Sequence, residues 1–278
     1  MLFLLVWIAT ASCVTTKTSN DAFYFIQMTD PQFGFYTDNK SFEKETALYT
    51  RAIQEANRLR PAFVIVTGDL VNLPFDSAQI AEYKRISNQL DARIPLYNLA
   101  GNHDVGNTPA PQDIAAYKKD FGSDYYTFTH QSMLGIVLNS LYLHSPQKVP
   151  QQAQEQEAWL KKTLEDAKEK NYRHVIVFLH HPLYLKKEDE ADQYFNIPMA
   201  TRKKYLDLFK ASGIRYVFAG HYHRNDLGKG GPIEMVTTGP VGKPLGKDPS
   251  GFRIITVKGN EVSHQYYNLD SIPARINF

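Results

Sequence analysis

The chain is poor in cysteine: its 278 residues include one, Cys13. No disulfide can form within it, which excludes a cystine-stapled scaffold and any metal centre built from several thiolates. Neither sign of charge dominates. Lys and Arg number 31, Asp and Glu 29, for a formal net charge of +2. No basic stripe with interleaved aromatics runs along the chain, so it carries no electrostatic footprint for nucleic acid. Internal repeats, low-complexity tracts and a Pro/Ser-rich linker are absent, which leaves one large domain as the simplest organisation. Residues 2–11 form an apolar run, but ten residues are too few to span a bilayer.

That run has the length of a secretory h-region. It leads into Thr10-Ala11-Ser12-Cys13, which resembles the lipobox of bacterial lipoproteins, where the cysteine is lipidated after cleavage. No Lys or Arg precedes the run, and Thr10 stands where Leu is usual. A plain cleaved signal peptide and a retained N-terminal anchor are the alternatives. The expectation is an exported protein, either a periplasmic or outer-surface lipoprotein or a secreted one. Residues 1–20 are then a signal plus a short tether, and 21–278 the mature domain. Any membrane contact would run through a lipid on Cys13.

Past the tether, helical and strand-like patterns alternate. Ala47, Leu48, Ile53, Ala56 and Leu59 recur at helical spacing within 42–60, and Pro61 closes that segment. The spacing predicts further helices over 76–90, capped by Asp76 or Ser77, over 151–170, and over 199–212 before Gly213. Strand-like runs lie between them, which predicts a layered α/β fold. The final sixty residues are rich in glycine turns and short strands at 233–238, 252–257 and 261–268, and read as the antiparallel second sheet of a sandwich.

Five polar islands each follow a strand-like run: Asp30-Pro31-Gln32, Gly68-Asp69, Gly101-Asn102-His103-Asp104, His180-His181 and Gly220-His221-Tyr222-His223. The strands preceding them are expected at 23–28, 63–66, 96–99, 175–179 and 216–219. In an open α/β sheet such strand ends converge on one edge, where ligands bind. Two Asp, one Asn and three His delivered to one edge predict a metal site, and room for two ions. A carboxylate, amide and imidazole donor set suits Mn, Fe, Zn or Ni better than Ca. Two divalent ions side by side are a device for hydrolysing phosphoesters. Each residue alone would read as a turn, cap or core residue; only their joint occurrence carries the reading.

The order Asp-x-Gln, Gly-Asp, Gly-Asn-His-Asp, His, Gly-His-x-His is similar to the calcineurin-like metallophosphoesterase superfamily, from about residue 24 to 270. Thr29-Asp30-Pro31-Gln32-Phe33-Gly34, Thr201-Arg202-Lys203-Lys204, Gly220-His221-Tyr222-His223-Arg224-Asn225 and the run from Gly242 to Arg253 resemble its complete-Ser/Thr-phosphatase branch. The resemblance implies a four-layer α/β/β/α sandwich, two mixed sheets flanked by helices. It implies a first metal on Asp30, Gln32 and His223, a second on Asn102, His180 and His221, and Asp69 bridging them. The ions implied are Mn, Fe, Zn or Mg. It makes His103 the acid that protonates the leaving alkoxide and a contact to phosphate oxygen. Asn102 and Arg224 are further candidates for phosphate, and Asp104 a candidate to steady His103 or its loop, with a helix or turn cap as the alternative.

Two positions depart from the commoner family pattern. Gln32 replaces a His, a trait the branch shares. Asn72 replaces an Asp that orients the catalytic His in many relatives. The implied activity is phosphomonoester hydrolysis by direct attack of a metal-bridging hydroxide, on phosphoprotein Ser/Thr or a small phosphomonoester. A phosphodiesterase acting on nucleotides or lipid head groups is the first rival, and a non-catalytic metal-binding module the second. The 201–204 cluster is a further candidate for phosphate, with a solvated helix start as the alternative.

Overall fold

The computed structural model describes residues 22–278. The expected export signal and Cys13 lie outside the described residues. The strands are β1 (Ala22–Met28), β2 (Val64–Thr67), β3 (Leu96–Leu99), β4 (Tyr126–His130), β5 (Met133–Val137), β6 (His174–Phe178), β7 (Tyr216–Ala219), β8 (Asp226–Gly230), β9 (Ile233–Thr237), β10 (Gly251–Lys258) and β11 (Glu261–Asn268). The helices are α1 (Glu43–Leu59), α2 (Ser77–Ser87), α3 (Asn102–Val105), α4 (Pro111–Phe121), α5 (Leu141–His144), α6 (Pro150–Glu169) and α7 (Met199–Ala211). Among the described residues, no helix is long and apolar enough to cross a membrane.

The strands form two mixed sheets, ordered β11-β10-β1-β2-β3 and β4-β5-β6-β7-β9-β8. Strands β1, β2 and β3 run parallel, as do β5, β6, β7 and β9. Alternation along each strand sorts side chains to two faces. Phe25 of β1 and Ile65 of β2 join Ile176, Phe178, Phe218 and Val236 of the other sheet in one apolar cluster between the sheets. The Phe25 ring stacks on Phe63 at 4.5 Å and meets Phe178 edge-on at 5.9 Å. The alternate residues Ile26, Met28, Val64 and Val66 pack with Tyr49, Ala52, Ile53 and Ala56 of α1. This is the expected sandwich of two mixed sheets flanked by helices.

The last three strands are placed differently from expectation. They do not make a separate antiparallel sheet: β9 adds in parallel to β7, while β10 and β11 extend the first sheet beside β1. The glycine turns allow either arrangement. The expected helix cap holds, with the Asp76 carboxylate accepting the Gln79 amide at 2.9 Å.

Near its upper end the core between the sheets turns polar. Gln27 donates to Thr67 Oγ1 and to the Ala219 carbonyl, each at 3.0 Å, and accepts from Thr238 Oγ1 at 2.7 Å. One buried amide thereby ties β1 and β2 to β7 and the end of β9, directly beneath the loops that carry the polar islands.

Candidate metal centre

All five islands leave the C-terminal ends of parallel strands: β1, β2 and β3 from one sheet, β6 and β7 from the other. The backbone there is unusual. Asp30, Gln32, Asp69, His221 and His223 all hold positive φ, between 44° and 67°. Non-glycine residues adopt this conformation at a cost, and such strain concentrates at functional sites. Loop-to-loop hydrogen bonds hold it in place: Asp30 N to Gly68 O at 3.1 Å, Gln32 N to Asp69 O at 2.9 Å, and Gly242 N to Asp30 O at 3.1 Å. Two glycines permit the crowding. A Cβ on Gly68 would lie 2.5 Å from His180 Nδ1, and one on Gly101 would lie 2.9 Å from Asp69 Cγ and nearer still to its Oδ1.

Two groups of ligand atoms result. Asp69, His180 and His221 converge within 4.8 Å, as do Asp30, Asp69 and His223. Asp69 belongs to both. His180 Nε2 stands 3.2 Å from Asp69 Oδ2 and 3.1 Å from Asn102 Oδ1, and His223 Nε2 stands 3.3 Å from Asp30 Oδ1. The other nitrogen of each imidazole meets a main-chain carbonyl: His180 Nδ1 at Thr67 O, 2.8 Å; His223 Nδ1 at Lys243 O, 2.6 Å; His221 Nε2 at Tyr194 O, 3.3 Å. Such carbonyls fix the tautomer and ring orientation of metal-binding histidines.

The donor set fits a pair of divalent cations. Asp30 Oδ1 and Gln32 Oε1 are buried and have no hydrogen-bond partner, an expensive state for a polar atom that a cation relieves. The Asn102 amide nitrogen is occupied by Asn107 Oδ1 at 2.9 Å and the Tyr194 hydroxyl at 3.4 Å, which leaves its oxygen toward His180.

Electrostatics follow from this crowding. Burial works against a charged Asp69, yet the positive charges of His180 and His103 hold its carboxyl below the usual range. Burial likewise opposes a charged His180, but Asp69 outweighs it and raises the imidazole to about 9. His221, desolvated and beside His180, is pushed down to about 3 and stays neutral.

His103 adjoins the cluster without joining either group. Its main-chain N–H donates to Asp69 Oδ1 at 2.8 Å, and its Nδ1 meets the Asn72 carbonyl at 2.8 Å. The His103 ring is therefore oriented by the main chain of Asn72, not by the side chain that replaces the family's Asp.

Asp104, expected to steady His103 or its loop, braces the loop. Its Oδ2 accepts from Gly101 N at 2.8 Å, and its Oδ1 from Leu70 N at 2.9 Å and Val71 N at 3.2 Å. Both oxygens are spent tying the Asp69 loop to the Asn102 loop. Burial and the nearby Asp69 charge push its carboxyl up to about 8, against the pull of the Gly101 and Val71 amides.

Arg224 hydrogen-bonds the Leu245 carbonyl at 3.1 Å and lies 4.7 Å over the Tyr222 ring. Arg202 is neither solvated nor turned to the cluster. It is fully buried and donates to the carbonyls of Ile197, Glu188 and Glu190 at 3.0, 3.0 and 2.7 Å. It shapes the loop that presents Tyr194 to His221 and Asn102. Sequence reasoning missed Tyr194, and also His144, whose ring stacks at 4.5 Å on His181, itself 4.2 Å from His221. Neither belongs to a motif; Tyr194 acts partly through its carbonyl, which carries no residue-type signal.

Known proteins resemble this chain along most of its length. The family described as Calcineurin-like phosphoesterase matches residues 23–225. The human protein named Serine/threonine-protein phosphatase CPPED1 is 38% identical over 266 residues, 90% of this chain and 85% of its own. A Danio rerio protein of the same name is 36% identical over 274 residues, 93% of this chain and 89% of its own. The solved structure of a dimetal phosphatase from Danio rerio aligns with a TM-score of 0.56 at 14% identity, covering 88% of this chain and 99% of that one. At that identity the likeness speaks to the fold alone.

Proposed function

The chain belongs to the calcineurin-like phosphoesterase family, and from that premise we propose a metal-dependent phosphomonoesterase acting on serine or threonine phosphate esters. The observation that carries this reading is Asp69, a buried carboxylate shared by two separate ligand groups. The residues that would hold the first ion are Asp30, Gln32, His223 and Asp69; those for the second are Asp69, Asn102, His180 and His221. When bound, the divalent pair neutralises phosphoryl charge and supplies a nucleophile from water.

The chain's own residues do the rest. With Nδ1 committed to the Asn72 carbonyl, His103 presents Nε2 as the atom that holds a proton and delivers it to the leaving alkoxide. Asp104 keeps the loops of Asp69 and Asn102 at a fixed separation through three amides. Arg224, partly exposed beside His223, is the residue for a phosphate oxygen or an acidic group on the substrate. The metal identity is left to reconstitution with Mn, Fe, Zn and Mg in turn.

The rim supports an ester carried on a larger body. Phe35 lies 5.3 Å from the His223 ring, and Lys243 Nζ sits 4.9 Å over Phe35. Leu73, Phe75, Tyr194 and Leu245, on loops around the cluster, are exposed. The relatives named as Ser/Thr protein phosphatases point the same way. The test is hydrolysis of a phosphoserine peptide, p-nitrophenyl phosphate and bis(p-nitrophenyl) phosphate by the metal-loaded protein. Preference for the two monoesters is expected; preference for the diester would overturn the reading. Export, with Cys13 as a lipid attachment point, belongs to the same proposal. Fatty-acid labelling of the full chain and of Cys13→Ala in a lipoprotein-processing host tests it, and label retained without Cys13 would refute it.

A further inference from the structure

A chain of carboxamides runs outward from the cluster, and its direction is fixed at the far end. Gln79, in α2, accepts two main-chain N–H groups on its Oε1, from Asn72 and Leu73, each at 2.9 Å. A main-chain N–H can only donate, so that atom of Gln79 must be the oxygen. Its Nε2 is thereby turned to Asn39 Oδ1, 3.0 Å away. Asn39 Oδ1 accepts a second time, from Asn72 Nδ2 at 2.8 Å. Asn72 is then obliged to turn its own Oδ1 the other way, where it accepts Gln32 Nε2 at 3.0 Å. The last amide has one atom left: Gln32 Oε1, buried and without a partner.

We propose that Gln79, Asn39 and Asn72 are positioning residues that set the flip of the Gln32 amide, so that its oxygen and not its nitrogen faces the Asp30–His223 ion. The inference rests on the dinuclear reading above. An imidazole at position 32 would offer a nitrogen ligand without such help. A carboxamide has two nearly isosteric faces, one a ligand and one a repulsive N–H₂, and nothing in its own shape chooses between them. The relay makes that choice, starting from two amides of the main chain. The local backbone is built around it: Asn39 sits at φ 65°, a conformation Asn tolerates. Gly34 leaves the space, because a Cβ there would lie 2.8 Å from both Asn39 Oδ1 and Gln79 Nε2.

Asn39 is the residue to test, since it is exposed and touches none of the proposed ligands. Asn39→Gly keeps the backbone conformation and removes the acceptor; Asn39→Asp keeps an oxygen for both donors. Mn²⁺ affinity is measured by isothermal titration calorimetry, with bound metal counted by elemental analysis. Wild type is expected to bind two ions. Asn39→Gly should weaken one site about tenfold, in the range of outer-shell effects on metal affinity, while Asn39→Asp stays near wild type. In a Gln32→Glu background, where either face of the side chain is an oxygen, Asn39→Gly should cost nothing. Equal loss in both backgrounds would make Asn39 merely structural and overturn the inference, and so would no loss in either. Fewer than two ions on wild type would overturn the dinuclear reading itself, a distinct failure.

Discussion

Replacing Gly101 by Ala isolates the close approach on which the cluster depends. Gly101 has φ −104° and ψ 178°, extended backbone that Ala adopts freely, so the added methyl is the whole perturbation. Its Cβ would stand 2.9 Å from Asp69 Cγ, where ordinary contact needs 3.4–4 Å. The Asp69 Oδ1 and main-chain nitrogen lie nearer still to that Cβ, so the β2 and β3 loops must part by about 1 Å, against the Asp104 brace that binds Gly101 N at 2.8 Å. Overpacking of this kind costs about 1–3 kcal/mol. A 1 Å misplacement costs a reaction about 100-fold, and that is the predicted loss of turnover. Gly213→Ala is the control. It has φ 73° with nothing within 4 Å, so it loses about 1–2 kcal/mol to backbone strain and keeps its turnover. Thermal denaturation and hydrolysis of p-nitrophenyl phosphate read the two effects separately. Wild-type turnover in a folded Gly101→Ala variant would refute the argument that loop proximity sets the site.

His103→Ala should cut turnover by about 100-fold or more with metal content kept, as measured by elemental analysis. Metal lost with the imidazole would show His103 to be a ligand. Asp104→Asn should lower stability by about 1–3 kcal/mol, because its amide nitrogen opposes a main-chain N–H left without an acceptor; an unchanged denaturant midpoint would contradict the brace. Metal affinity should fall as pH falls. His180, raised to about 9, is protonated in the metal-free protein at pH 7 and must lose that proton to become a ligand. Affinity at its site should therefore weaken about tenfold per pH unit below about 9 and level off above it, about 2.7 kcal/mol across two units. His221, held near 3, contributes no proton in that window. Calorimetry in buffers of different ionisation heat measures the release, and none at pH 7 would contradict it.

Much of this site was legible because its chemistry needs particular residue types at strand ends. The runs before Asp30, Asp69, Asn102, His180 and His221 are strands at or within a residue or two of the expected positions. What escaped the sequence was pairing at long range and anything done by the main chain. The turns around β9, β10 and β11 permit pairing with either sheet, so their split between the two could not be read locally. The carbonyls of Asn72, Tyr194 and Lys243 orient three imidazoles, yet any residue supplies a carbonyl. Arg202 reads as a solvated charge at a helix start; the three carbonyls that bury it come from a loop whose path no periodicity describes. The helix α4 had its own local signals, Pro111 at its first turn and the Asp113 carboxylate accepting Ala110 N at 2.8 Å, but it carries no site residue.

The central claim is a pair of divalent ions joined by Asp69. Its most direct test is metal-reconstituted hydrolysis of p-nitrophenyl phosphate by wild type and Asp69→Asn, with bound metal counted in both. Two ions per wild-type chain and turnover that needs them, with both lost in the variant, is the predicted result. Full turnover by the variant, or wild type that binds no divalent metal, would contradict it.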